Sequence, residues 1–203
     1  MSDIKLKRKF ELAQWGLYEN VEYQVKDRNG KVKKLFQQNL LCTHLLKKGV
    51  ISPLWINSPY AFLVSPFLGH YASKVTVKNL ITNAGFAGAA SRIGGAGSEA
   101  IFNYIAVGTG VTAANVSDTT LGTETAASGL SRVAGTMSRV TTTQTNDTSQ
   151  ATTTFTVSGT VAVTESGLLN AASSGVLLCR QVFTAINVVN GDSLAITWKI
   201  KCA

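Results

Sequence analysis

Hydrophobic and polar positions change rhythm near residue 101 of this 203-residue chain. Downstream, the runs "FNYIAV", "SRVAGTMSRVTTTQ", "ATTTFTVSGTVAV", "GVLLCRQVFTAI" and "SLAITWKIKC" are separated by the turn clusters "QTNDTS", "NAASSG" and "VNGD". Val, Ile, Thr and Phe suit a pleated, half-buried surface, so several short strands at this spacing predict a mainly β chain, an antiparallel β-sandwich of jelly-roll-like kind. Alternation is clearest in the last run, with Leu194, Ile196, Trp198 and Ile200 on one face and Ala195, Thr197, Lys199 and Lys201 on the other. The Thr-rich stretch from Thr141 to Thr156, bounded by Val140 and by Phe155 and Val157, predicts a long threonine-decorated hairpin.

Upstream the units are shorter. "NVEYQVKDRNGKVKKLFQ" alternates on both sides of Arg28-Asn29-Gly30, a turn signal that predicts a small basic hairpin. "QQNLLCTHLLKKG" has apolar residues at 40, 41, 45 and 46 and Lys47 and Lys48 before Gly49, the pattern of a short helix with a glycine stop. "VISPLWINSPYAFLVSPFLG" holds all three prolines, Pro53, Pro59 and Pro66. Each proline removes a backbone donor, so the segment reads as an apolar loop and not as a continuous or membrane-spanning helix. Such a loop needs a surface to lie on, either the protein's own core or a neighbouring subunit. "KVTVKNLITNAGFAGAASRIGG" predicts a helix ending at Gly94-Gly95, in which Gly85 and Gly88 each cost about 1 kcal/mol relative to alanine. The expected division is an N-terminal docking arm at 1–77, a small α+β region with the basic hairpin and proline-rich loop, and a helix plus β-sandwich domain at 78–203.

Charge sharpens this division. Charged residues are 15% of the chain, below the roughly 25% of an average soluble protein. The formal net charge is +8, and residues 1–50 carry 11 of the 19 Lys and Arg against 5 of the 11 Asp and Glu. Within "KLKRK", Lys5, Lys7, Arg8 and Lys9 are candidates to meet an acidic protein partner, a nucleic acid or a membrane surface, with a solvated tail as the plain alternative. Cys42, Cys179 and Cys202 are too few and too far apart for a disulfide framework or a zinc pattern, and fit thiols of a chain folded in a reducing cytoplasm. The opening "MSDIKLKRKFELAQ" is not followed by an apolar segment of the secretory kind.

Candidate chemistry is sparse. "YIAVGTG", Tyr104 to Gly110, ends a strand in glycines, as phosphate cradles do, but no lysine follows until Lys199 and the next residues read as a loop. The expected role of Gly108 and Gly110 is therefore a structural turn, with positive φ at the end of a buried strand and no bound ligand. His44 and His70 have no accompanying nucleophile or metal pattern, and "TESGL" lacks the surroundings of a nucleophile elbow. Glu124 and Glu165 read either as an acid/base pair or, preferably, as buried carboxylates paired with Arg132 or Arg139. No catalytic, cofactor-binding or metal-ligating set is expected, nor a small-molecule substrate, and no nucleic-acid motif is recognisable in the basic segment.

Taken in order, "NLITNAG" (79–85), "YIAVGTG" (104–110), "DTTLGTE" (118–124), "SRV" (131–133), "VTESGLL" (163–169), "GVLLCR" (175–180) and "GDSLAITWKIK" (191–201) resemble a recurring module of tailed-bacteriophage virion proteins, akin to tail-collar fibre and related structural proteins. The series covers about three-fifths of the chain. Leu169-Asn170 stands where the module usually has an aromatic after "GL", and residues 1–77 have no counterpart in it. The resemblance implies a non-enzymatic structural protein of the virion, assembled in the host cytoplasm beside other virion proteins and copies of itself. A tail, neck or collar position is the first reading. Alternatives are a decoration protein of the head and a carbohydrate-binding receptor module. Trp55, Tyr60, Phe62 and Phe67 are the expected apolar anchors of the docking arm.

Overall fold

The computed structural model describes residues 17–78 and 80–202. Twelve strands, three α-helices and one 3₁₀ turn follow one another along these residues. In order they are β1 (Leu17–Lys26), β2 (Leu35–Gln38), α1 (Leu40–Lys47), the 3₁₀ turn Pro53–Asn57, α2 (Ala61–Leu68), β3 (Gly69–Ala72), β4 (Val75–Lys78), β5 (Leu80–Ile81), α3 (Asn83–Gly94), β6 (Tyr104–Gly108), β7 (Val133–Ala134), β8 (Thr136–Val140), β9 (Thr148–Thr156), β10 (Val161–Leu169), β11 (Leu177–Val188) and β12 (Ser193–Cys202).

The expected antiparallel β-sandwich is formed. A front sheet has the order β4-β1-β12-β9-β8 and a back sheet the order β5-β11-β10-β6-β7, with β2 and β3 as a separate pair. The chain passes from front to back between β4 and β5, and from back to front between β7 and β8, so the two sheets are joined along both sides. Between them lies one core. Leu194, Ile196 and Trp198 are fully buried along β12, as their alternation requires, and meet Val21, Tyr23 and Val25 of β1 and Ile105, Val163 and Phe183 of the back sheet. At about 1.5–3 kcal/mol per buried large apolar side chain, these faces hold the sheets together. The threonine hairpin is also present, with β8 and β9 in register from Thr136↔Thr152 to Val140↔Thr148.

Four expectations need correction. The chain does reverse at Asp27–Gly30, where the Asp27 carboxylate accepts from the N–H groups of Asn29 and Lys31 and Gly30 takes φ +79°. No hairpin follows beyond the Lys26↔Val32 bridge, and residues 35–38 pair with β3 instead. β12 takes one edge of β1 along all ten residues and β4 takes the other over Asn20–Tyr23, so the returning chain can pair only with the last residues of β1, Val25 and Lys26. For the same reason position 77 is no boundary in space: β1 and β4 are strands of the front sheet. The proline segment is more ordered than a loop, because Pro53 starts the 3₁₀ turn and Pro66 is accommodated inside α2. The helix expected from Lys74 onward begins only at Asn83, capped by the Thr82 hydroxyl accepting from the Gly85 N–H at 2.9 Å, since Val75–Lys78 and Leu80–Ile81 are strands.

Gly85 is set by packing. A Cβ there would stand 2.0 Å from the Leu178 carbonyl oxygen, so the helix can lie against β11 only without one. β11 is buried on both faces apart from Asn187, covered by the front sheet on one side and by α3 and the 3₁₀ turn on the other. That explains the nearly continuous apolar run of its sequence.

Candidate functional site

The glycine turn after β6 ends on a carboxylate. Glu165 of β10 faces Gly108 of β6 across the ladder and is fully buried. Its Oε1 accepts from the N–H groups of Gly110 at 3.0 Å and Thr123 at 2.6 Å, and its Oε2 from the Gly122 N–H at 2.9 Å. Arg180 of β11, itself 2% exposed, supplies the compensating charge, donating from Nε at 2.8 Å and bringing a second guanidinium nitrogen to 2.7 Å of the same oxygen. The remaining guanidinium donors reach Asp118 at 2.7 Å and the Thr112 carbonyl at 3.1 Å. One buried ion pair thus ties loop 109–123 to two strands of the back sheet, and the Thr164 hydroxyl adds a bond to the Gly110 carbonyl at 2.8 Å. Removing a buried charge from water is tolerable only with such full pairing.

This geometry changes the reading of the glycines. Gly108 and Gly110 are not among the residues with positive φ. A Cβ on Gly110 would stand 2.3 Å from Glu165 Oε1, and one on Gly108 would stand 2.3 Å from the Thr123 carbonyl oxygen and 2.6 Å from that Oε1. Both positions need glycine for close approach. The backbone N–H groups gathered here are satisfied by the chain's own carboxylate.

The expected polar pairings are partly rearranged. Arg132 does meet Glu124, in a two-pronged contact at 2.9 and 2.6 Å, and also donates to the Ala171 and Ser174 carbonyls. That pair is at the surface, with Glu124 exposed. Glu165 pairs with Arg180 and not with Arg132 or Arg139. Arg139 is exposed on β8 and enters none of the ion pairs among the described residues. Glu124 and Glu165 each have their own arginine, so no shared acid/base pair is formed. Arg180 and Asp118 were missed, although an arginine inside the apolar run "GVLLCRQVFTAI" signals a buried charge in need of a partner. His44 and His70 are both exposed.

The second region lies on the outer side of β11. Gln38 anchors it, accepting from the Thr184 N–H at 3.1 Å and hydroxyl at 3.2 Å, and Asn57 and Asn187 exchange amide hydrogen bonds. Phe36, Cys42, Leu46 and Leu68 form a small core there, with Trp55 edge-on to Phe36 at 5.2 Å. The inward residues of α1 are Cys42 and Leu46, while Leu40 is 86% exposed, so the helix presents apolar groups on both sides.

The four expected anchors divide. Trp55 is packed into the small core, whereas Tyr60, Phe62 and Phe67 are 69%, 71% and 73% exposed. Leu63 and Val64 of α2 are exposed beside them. An apolar groove of about 300 Å³ runs between Leu45, Ile51, Trp55, Val64, Phe67 and Leu68. The other expected docking residues, Lys5, Lys7, Arg8 and Lys9, lie outside the described residues. Among the described residues no group of three His, Cys, Asp or Glu side chains is placed to hold a metal ion, and no helix is long and apolar enough to cross a membrane. No family model, curated protein or solved structure matches this chain.

Proposed function

We propose that this chain is a non-enzymatic structural component of a tailed-phage virion, in a tail, neck or collar/fibre-associated position, that joins its neighbours through the face of α2. Two things support the reading. The ordered motifs from Asn79 to Lys201 resemble the phage structural module, and α2 with its N-cap residue carries Tyr60, Phe62 and Phe67 about 70% exposed within eight residues. The second observation carries the proposal. Aromatic side chains bunched on one short helix are the usual anchors of a protein interface, and a contiguous apolar patch is rarely left in water. The sandwich acts as a rigid body, and the layer on β11 as its attachment surface.

Particle incorporation tests this. Tyr60→Ser, Phe62→Ser and Phe67→Ser together should leave the chain folded but absent from purified particles. Wild-type incorporation of the triple variant would overturn the docking role, and absence of the wild-type chain from particles would overturn the virion role. Its presence on heads lacking tails would assign it to head decoration instead.

A further inference from the structure

The layer outside β11 is one-signed as well as apolar. Between Asp27 and Glu99 the chain has no Asp or Glu, while lysines recur throughout. Lys33 and Lys74 are engaged by Asp192 and Glu22 of the sandwich. Lys34, Lys47 and Lys48 are exposed and enter none of the ion pairs among the described residues.

Two of these lysines stand at the α2 groove. Lys47 and Lys48 lie at the end of α1, between Leu45 and Ile51, both of which line the groove. The chain turns there at Gly49, φ +68°, and the Val50 N–H donates to the Leu45 carbonyl at 2.9 Å. At the other end of α1, Asn39 ties the helix to the end of α2: its backbone N–H donates to the Leu68 carbonyl at 2.8 Å and its side-chain amide to the Phe67 carbonyl at 2.8 Å. The exposed Leu40 thus continues the apolar surface from the exposed Phe67. Groove, apolar surface and free positive charge form one patch.

Shape and charge each exclude an occupant. A bilayer would meet the exposed rings but has no side chain to fill a groove of about 300 Å³ beside a helix of eight residues. A second copy seated by the same face would set this positive layer against itself, and like charges brought together oppose association. Glu22, Asp118, Glu124, Glu165 and Asp192 do not answer it from elsewhere on a copy, because each is held by the chain's own lysine or arginine. What satisfies both is an apolar side chain flanked by carboxylates.

We infer that the occupant of this groove is an acidic segment of a different protein, with a large apolar side chain seated against Ile51, Trp55 and Phe67 and carboxylates opposite Lys47 and Lys48. The inference rests on the reading of the α2 face as a docking surface and adds the chemistry of the partner. Apolar contact holds the segment, and opposite charge steers its approach and rejects basic competitors.

The test pans a random peptide library on the full-length chain, with the Tyr60→Ser, Phe62→Ser and Phe67→Ser variant as counter-selection. Peptides kept by the wild type alone should carry an aromatic or large aliphatic residue flanked by Asp or Glu. Their affinity should fall at least about tenfold on Lys47→Glu with Lys48→Glu, and by about as much on raising salt from about 0.05 to about 0.5 M. Peptides without an acidic excess, or acidic peptides indifferent to both changes, overturn the inference and leave α2 a docking surface for another chemistry. Peptides that bind the counter-selection variant equally well remove the docking face and the inference with it, and recovery of none overturns the inference. Binding of the wild type to phosphatidylserine–phosphatidylcholine vesicles without recovery of acidic peptides would assign a membrane. An oligomer in sedimentation that the triple variant dissolves would assign a second copy. Either result overturns the inference. If the lysine variant fails to fold, the salt dependence of the wild type decides alone.

Discussion

The Glu165 node lies in the back sheet and α2 in the layer outside it, packed on the 3₁₀ turn that covers β11, and the two are opposite in finish. Around Glu165 a full charge, an arginine and three backbone donors are all satisfied inside the chain. On α2 the largest apolar groups face outward although a small core lies directly beneath them. The lesson is that burial alone does not locate function. A strained or charged interior site that is fully paired is holding a loop, while an exterior site left unpaired is the one open to a partner.

Breaking the node should give the largest effect. Arg180→Met leaves Glu165 buried without its counter-charge and should lower stability by about 3–5 kcal/mol in a denaturant melt. A loss below about 1 kcal/mol would mean that the backbone donors suffice, and the contrast with α2 would weaken. Gly110→Ala comes next. Its methyl group would collide with Glu165 Oε1, and a loss of about 1–3 kcal/mol is expected, with faster amide exchange across 109–123.

A smaller effect is expected at the tip of the threonine hairpin, where the sandwich is also internally paired. Partial burial pushes the Asp147 carboxyl up, but hydrogen bonds from the backbone N–H groups of Gln144, Thr142 and Thr143 and from the Thr148 hydroxyl outweigh this and hold it well below the usual carboxylate range. A carboxylate depressed on folding stabilises fully above its unfolded pKa of about 3.9, and that contribution is lost as pH falls through the lower folded value. Asp147→Asn should therefore lower the melting temperature at neutral pH, and its difference from wild type should shrink from about pH 5 downward. A pH-independent difference would assign the effect to packing. The smallest change in stability should come from the Tyr60→Ser, Phe62→Ser and Phe67→Ser variant, within about 0.5 kcal/mol of wild type, because these side chains have little native contact to lose. A large loss would place them in the fold and remove the contrast.

Local pattern was readable where neighbours in sequence are also neighbours in space. The threonine hairpin, the short helix from Leu40 and the inner face of β12 follow from periods, caps and turn residues alone. The basic hairpin stopped short for want of an edge: "RNG" makes its turn, but β12 holds one edge of β1 and β4, about fifty positions farther along, takes the other from Asn20 to Tyr23. Which of the aromatic residues are buried was not readable one by one, since nothing in "SPLWINSPYAF" says that Trp55 turns inward and Tyr60 outward.

By itself, then, the sequence determined an antiparallel β-sandwich, its apolar faces and the strand end at the glycines 108 and 110, because these depend on residue type and local spacing. Tertiary structure alone decided why those glycines are small, which arginine holds Glu165, and that β1 is interior to the front sheet. Each of these depends on strands far apart in the chain meeting in register, and a buried charge takes whichever partner that register brings to it.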